Sequence, residues 1–211
     1  MKTKTLILTA LLAVAGSATL SAQVFSVNAV GYVNVTLPPG FSMIANPLIA
    51  GTNTLGALIP VAPDGAQAYK FTGAGYVVNT FDSLAPGWLP APNTPFNVGE
   101  GMFFRNNQAT NLVITFVGEV AQGSLTNPLP AGFSIRSSMV PQSGAIDSIL
   151  GLPAQDGDQI YKFTSSGYQV STYDSLAPGW LPTAPVIQVG ESFFLRETAA
   201  KDWVRNFSVN N

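Results

Sequence analysis

Asp82-Ser-Leu-Ala-Pro-Gly-Trp-Leu-Pro90 occurs twice, returning unchanged as Asp174-Ser-Leu-Ala-Pro-Gly-Trp-Leu-Pro182, 92 positions later (174 − 82). This repetition decides how the chain is read, as two copies of one unit. At the same spacing, positions 64 to 90 match positions 156 to 182 at 20 of 27 sites, whereas positions 43 to 63 match at 2 of 21. A uniform duplication would not leave such a contrast. The matching block has been held alike, by a shared ligand or by a shared packing need. Past Pro90 the spacing falls to 91: Val98-Gly-Glu-Gly101 and Met102-Phe-Phe-Arg105 return as Val189-Gly-Glu-Ser192 and Phe193-Phe-Leu-Arg196.

Outward from the block, the pattern is that of short strands. In Gln67-Ala-Tyr-Lys-Phe71, Tyr69 and Phe71 share a face and Lys70 takes the other, as the two-residue period of a strand requires. Thr72-Gly-Ala-Gly75 makes a turn and Tyr76 to Thr80 returns; the second copy of this hairpin is Tyr161 to Tyr168. Val24 to Leu37, Phe41 to Ala45, Met102 to Arg105, Leu112 to Val117 and Trp203 to Phe207 are the other strand candidates. A helical turn is expected in Gly51 to Pro60 and again in Ala145 to Leu150. Pro92 and Pro95 keep the connection after Pro90 irregular. The expected fold is all-β: two tandem repeats of about 90 residues forming packed sandwich or barrel-like units, each with one short helical turn. The boundaries are 23–119 and 120–211, and no flexible linker separates the copies. We therefore expect them to pack together about a pseudo-twofold axis, with Leu112 to Val117 closing the first unit.

The first 22 residues read as a Sec-type signal peptide: Lys2 and Lys4, then an apolar run from Leu6 to Ala15, then small residues to Ala22. Cleavage is placed after Ala22, with Ser21 and Ala18 as alternatives. No later stretch is long and apolar enough for a membrane helix. The mature chain would have 189 residues (211 − 22), and losing Lys2 and Lys4 moves the formal charge from −2 to −4. No basic tract supports nucleic-acid binding. Charged residues are 9% of the chain, so its surface is weakly repelling and suits contact with other chains, glycans or an envelope. The expected location is the periplasm or the extracellular space.

Chemistry is narrowed mainly by what is missing. The sequence has no His and no Cys. That excludes Ser–His–Asp and Cys–His catalysis, the usual zinc sites and a disulfide framework. No phosphate-binding or dinucleotide motif is present, and no cofactor is expected. Two carboxylates per copy, Asp82 with Glu100 and Asp174 with Glu191, are the residue types of a glycosidase; loop capping and Gly turns explain them better. Asp156-Gly-Asp158 hints at a calcium loop, but the first copy has Asp64-Gly-Ala66, and a turn is the simpler reading. The candidate ligand-binding residues are Asp82, Trp88, Tyr69 and Tyr76, with Asp174, Trp180, Tyr161 and Tyr168 in the second copy. An exposed aromatic face stacks on the C–H face of a sugar, and a carboxylate bonds its hydroxyls. Alternatively each Trp plugs the end of its own unit, with Leu84 and Leu89 flanking the ring.

Asn28-Ala-Val-Gly-Tyr-Val33, Gly40-Phe-Ser-Met-Ile-Ala-Asn-Pro47 and Val98-Gly-Glu-Gly-Met-Phe-Phe104 resemble uncharacterised secreted β-repeat proteins of environmental bacteria. The resemblance covers nearly all of the mature chain. It implies export and repeat architecture, and brings no activity with it. The favoured role is therefore that of a non-enzymatic protein with a structural or interaction role at the cell surface or matrix. Its partners would be further copies, other surface proteins or glycans, met partly through exposed strand edges. A carbohydrate-binding module is the alternative.

Overall fold

A computed structural model describes residues 29–85, 87–177 and 179–209. The signal-peptide segment and the part of the first expected strand before residue 29 lie outside them. The regular structure of the described chain is nearly all β, arranged in antiparallel sheets. Among the described residues, the one α-helix is the single turn α1 (Leu55–Leu58), whose N-cap Thr54 accepts from the Ala57 N–H. Residues 145 to 151 make bonds of helical spacing, Ile149 N–H to Ala145 O at 3.1 Å and Gly151 N–H to Asp147 O at 3.0 Å, without forming a helix. Among the described residues, no helix is long and apolar enough to cross a membrane.

The first half opens with β1 (Val30–Leu37), β2 (Gly40–Ile44) and β3 (Leu48–Ile49). Beyond α1 come β4 (Gln67–Phe71), β5 (Tyr76–Asp82), β6 (Gly87–Leu89), β7 (Met102–Asn106) and β8 (Leu112–Val120). The second half has β9 (Gly123–Leu129), β10 (Gly132–Arg136), β11 (Gly144–Ala145), β12 (Gln159–Thr164) and β13 (Gly167–Asp174). It ends with β14 (Gly179–Leu181), β15 (Val186–Ile187), β16 (Phe193–Glu197) and β17 (Lys201–Phe207). One five-stranded sheet runs β2-β7-β4-β5-β6 and the other β10-β16-β12-β13-β14. These two orders correspond strand for strand.

Each half also pairs its first strand with its last. Val30 lies opposite Glu119 and Leu37 opposite Leu112 in the β1–β8 ladder, while β9 pairs with β17 from Gly123–Phe207 to Leu129–Lys201. The first strand therefore stays within its own chain. The Trp segment, which is not among the expected strands, supplies a strand in each half, because Gly87 and Gly179 take positive φ and return the chain onto β5 and β13. The stretch after Gly118 forms the end of β8 and all of β9.

Each half buries its own core. Trp88, Phe96, Phe104 and Phe116 centre the first; Trp180, Phe193, Leu195 and Trp203 centre the second. Where the halves meet, bonds come in reciprocal pairs. Ala45 N–H donates to Gly190 O (2.9 Å) and Ser137 N–H to Gly99 O (3.0 Å); Ser192 N–H donates to Met43 O and Gly101 N–H to Ile135 O, both at 3.3 Å. Such exchange of partners is the signature of a self-complementary contact. It joins β2, β7, β10 and β16 with their leading segments into a closed circuit, which leaves no open edge at the junction.

Candidate functional site

The duplicated loop is a packing corner. Trp88 is 1% exposed and Trp180 is 4% exposed, so neither indole can stack on a ligand. Each ring packs edge-on against its neighbour in the adjoining strand, Phe81 at 5.3 Å and Tyr173 at 5.5 Å. The candidate carboxylates are also internal devices. Asp82 Oδ1 accepts the Leu84 N–H and Asp174 Oδ1 the Leu176 N–H, both at 2.9 Å, the Asx turn that begins the loop. Asp64 and Asp156 clamp the same loop by accepting the backbone and hydroxyl donors of Ser83 and Ser175. These bonds hold both carboxyls below their usual pKa: at Asp64 the backbone donor of Ser83 contributes most, at Asp156 the hydroxyl of Ser175. Leu84 does not flank the ring as expected. It and Leu176 stand at the loop tips, each 97% exposed.

Glu100 and Glu191 are engaged as well. Glu100 accepts from Lys70 Nζ at 2.8 Å and from the Asn97 backbone at 3.2 Å. Glu191 pairs with Lys162 at 3.1 Å and caps the Gln188 N–H. Asp156 and Asp158 turn to different partners, Ser175 for the one and Thr198 with Lys201 for the other. Among the described residues, no group of three or more acidic side chains could hold a metal ion.

The tyrosines, by contrast, are brought together. Strand alternation puts Tyr69 and Phe71 of β4, Phe41 of β2, Phe103 of β7 and Tyr76 of β5 on one face of the first sheet. The second sheet presents Phe133, Tyr161, Phe163, Tyr168 and Phe194 in the corresponding places. The two sets meet as one continuous layer of rings. Phe103 and Phe194 touch at its centre, 5.9 Å apart; Phe71–Phe194 and Phe103–Phe163, both at 5.3 Å, are the reciprocal contacts beside them. Phe41–Tyr69 at 5.5 Å and Phe133–Tyr161 at 5.6 Å extend the layer on either side.

This layer is only half covered. Phe41, Tyr76, Phe133 and Tyr168 are 44%, 46%, 45% and 47% exposed. Phe41, Tyr69, Tyr76, Phe103 and Phe163 line an apolar hollow of about 310 Å³. Burial raises the pKa of the Tyr76 phenol, and burial with the nearby Tyr76 raises that of Tyr168. A polar trio borders each end. Gln67 Oε1 accepts from Tyr69 OH (2.8 Å) and Arg105 Nη1 (3.1 Å), and the Arg105 guanidinium lies 6.0 Å from the Phe41 ring. Gln159 Oε1 accepts from Tyr161 OH (3.0 Å) and Arg196 Nη1 (3.4 Å) in the same way.

Sequence reasoning named four of these ten rings as candidates and did not name Phe41, Phe71, Phe103, Phe133, Phe163 and Phe194, nor either Gln–Arg pair. The alternation within β4 placed Phe71 beside Tyr69. The order β2-β7-β4, which sets three separate segments side by side, was not visible in that alternation. No family model, curated protein or solved structure matches the chain.

Proposed function

We propose that this is a non-enzymatic interaction protein acting outside the cell, and that its contact surface is the aromatic layer spanning both halves. One observation carries the reading: ten rings on one face, four of them near half exposure, form a contiguous apolar surface with polar borders. Scattered exposed apolar residues are ordinary, whereas a rimmed continuous patch marks an interaction site. The outer strands β6 and β14 of the two five-stranded sheets have three residues each and offer little template for another chain.

The test compares the parent with a chain carrying Phe41→Ser, Tyr76→Ser, Phe133→Ser and Tyr168→Ser. Both are assayed for self-association by sedimentation and for retention on cell-envelope and polysaccharide fractions. Parent binding or association that the four substitutions abolish, with the β circular dichroism spectrum unchanged, is the expected result. Equal behaviour of the two chains would refute the proposal.

A carbohydrate ligand is the second reading, and it now rests on the Tyr–Gln–Arg trios rather than on Trp88 and Trp180. Each trio sets hydroxyl, amide and guanidinium groups beside an exposed ring, the combination that meets a sugar's hydroxyls and its apolar face together. Gln67→Ala with Gln159→Ala separates the readings. Glycan retention would fall with the rings still in place, while self-association would not.

A further inference from the structure

The second half buries a cluster of charged groups. Asp158 is fully buried, Glu197 is 3% exposed, and the side chain of Lys201 is 11% exposed. Lys201 Nζ lies against Asp158 Oδ2 and Glu197 Oε2 together. Three ionisable groups are thus withdrawn from water in one spot, which is costly compared with an apolar or neutral filling. A neutral filling exists in the same molecule. At the spacings of 92 and 91, the first half has Ala66 (158 − 92), Asn106 (197 − 91) and Thr110 (201 − 91). There Asn106 Nδ2 donates to Leu37 O (3.1 Å) and Thr110 O (2.8 Å) and closes the corner without charge.

In the second half the acidic groups are held by a set of fixed donors. Asp158 Oδ1 accepts the Thr198 N–H and hydroxyl, both at 2.8 Å, and Oδ2 accepts the Gln155 N–H at 2.7 Å, which fixes the carboxyl plane beside the amine. Neither oxygen of Glu197 receives a well-aligned hydrogen bond although both are buried. We propose that Lys201 and Asp158 condense to an intramolecular amide between Nζ and Cγ, with Glu197 relaying the protons.

The step balances without a co-reactant. One ammonium proton passes to Asp158 Oδ2, leaving a neutral amine and a neutral acid. The Nζ lone pair then attacks Cγ, and the carbonyl π pair moves onto Oδ1, where the two Thr198 donors hold the negative charge as an oxyanion hole would. Glu197 takes a proton from the now cationic nitrogen and delivers one to the Oδ2 hydroxyl, which leaves with its bonding pair as water while the carbonyl re-forms. Glu197 ends in the state in which it began. Its carboxyl pKa is raised to about 7, chiefly by burial, so it both donates and accepts near neutrality. Fixed proximity is the driving condition, since well-oriented intramolecular pairs reach effective concentrations of about 10⁵–10⁸ M. The amide would staple the residue that leads into β12 to the start of β17, tying the five-stranded sheet to the two-stranded one in a chain that has no cysteine.

Intact mass and peptide mapping of the denatured protein, with its N-terminus determined, test this directly. The parent is expected to be lighter by one water, with the peptides carrying Asp158 and Lys201 joined and no tryptic cut after Lys201. Lys201→Arg and Glu197→Gln should each restore the full mass, and circular dichroism checks that they fold. If a variant does not fold, the joined peptide pair of the parent still decides. A parent at full mass that is cut after Lys201 overturns the proposal. So does a water loss that persists in Lys201→Arg.

Discussion

In the first half buried Ala66 and Asn106, with exposed Thr110, stand in the places that Asp158, Glu197 and Lys201 take in the second, under the same strand order. The indoles differ in the same spirit. Trp88 Nε1 donates to Ile59 O at 2.7 Å, whereas Trp180 Nε1 is buried without a partner; in the second half it is Trp203 Nε1 that donates across the core, to Leu150 O at 2.9 Å. Ladder pairing and turns tolerate such exchanges because they depend on backbone bonds and on a few glycines. The interior is less tolerant, because most buried polar atoms need a partner and the side chains around them set which partners are in reach. The two halves therefore share one strand order while their cores are filled differently.

The comparison breaks most visibly at the indoles. Trp88→Ala and Trp180→Ala should each cost about 3–5 kcal/mol by emptying a core. The Phe substitutions should then split the pair. Trp88→Phe leaves the Ile59 carbonyl unsatisfied and should cost about 1–2 kcal/mol more than Trp180→Phe, read from urea midpoints.

Next in size is a pH effect confined to the second half. While Asp158 and Lys201 are separate groups, burial raises the folded pKa of Glu197 to about 7 from 4.5. Stability from this group is complete below the unfolded value and is lost as pH rises through 7, by about 2–3 kcal/mol. Asp158 acts in the opposite sense. Burial works to raise its pKa, but its bonds from Lys201, Thr198 and Gln155 outweigh that and lower it, so its contribution is lost in acid, below its ordinary 3.8. Hydrogen exchange on the unlinked protein should show β16 and β17 losing protection from pH 5 to 7.5 while β7 and β8 do not, and Glu197→Gln should remove the loss.

A smaller effect sharpens the junction. Gly101 and Ser192 occupy corresponding places, and a Cβ on Gly101 would run into the Ser192 side chain and Ile135. Making the copies alike with Gly101→Ser should therefore destabilise, by about 1–3 kcal/mol. Ser192→Gly should cost less, mainly the Ser192 hydroxyl bond to Ile44 O at 3.0 Å; thermal melts compare the two. The smallest change is expected at the loop tips, where Leu84→Ser with Leu176→Ser should move stability by less than about 0.5 kcal/mol. A larger loss on melting would mean that these exposed leucines are covered by another chain.

Much of the strand pattern was legible beforehand. Gln67 to Phe71 alternates cleanly and forms β4 with those bounds, and the Val-, Ile- and Phe-rich run from Leu112 became the core of β8. Gly123 to Leu129 was not legible as a strand, since Gly123, Asn127 and Pro128 carry turn chemistry; β17 recruits it by pairing. Nine identical residues around Trp88 looked like a site because local identity says nothing about which way a ring points. The aromatic layer was only partly legible, through its tyrosines. Phe41 and Phe103 reach Tyr69 by pairings that close loops of tens of residues.

By itself the sequence determined an all-β chain, the likeness of its two halves, and the absence of histidine and cysteine chemistry, because period, turn residues and composition are local properties. Tertiary structure decided which way the duplicated tryptophans face, that ten rings from two sheets form one surface, and that Asp158 meets Lys201. Those outcomes depend on sheet order and on the contact between halves, which bring together residues that no local pattern relates.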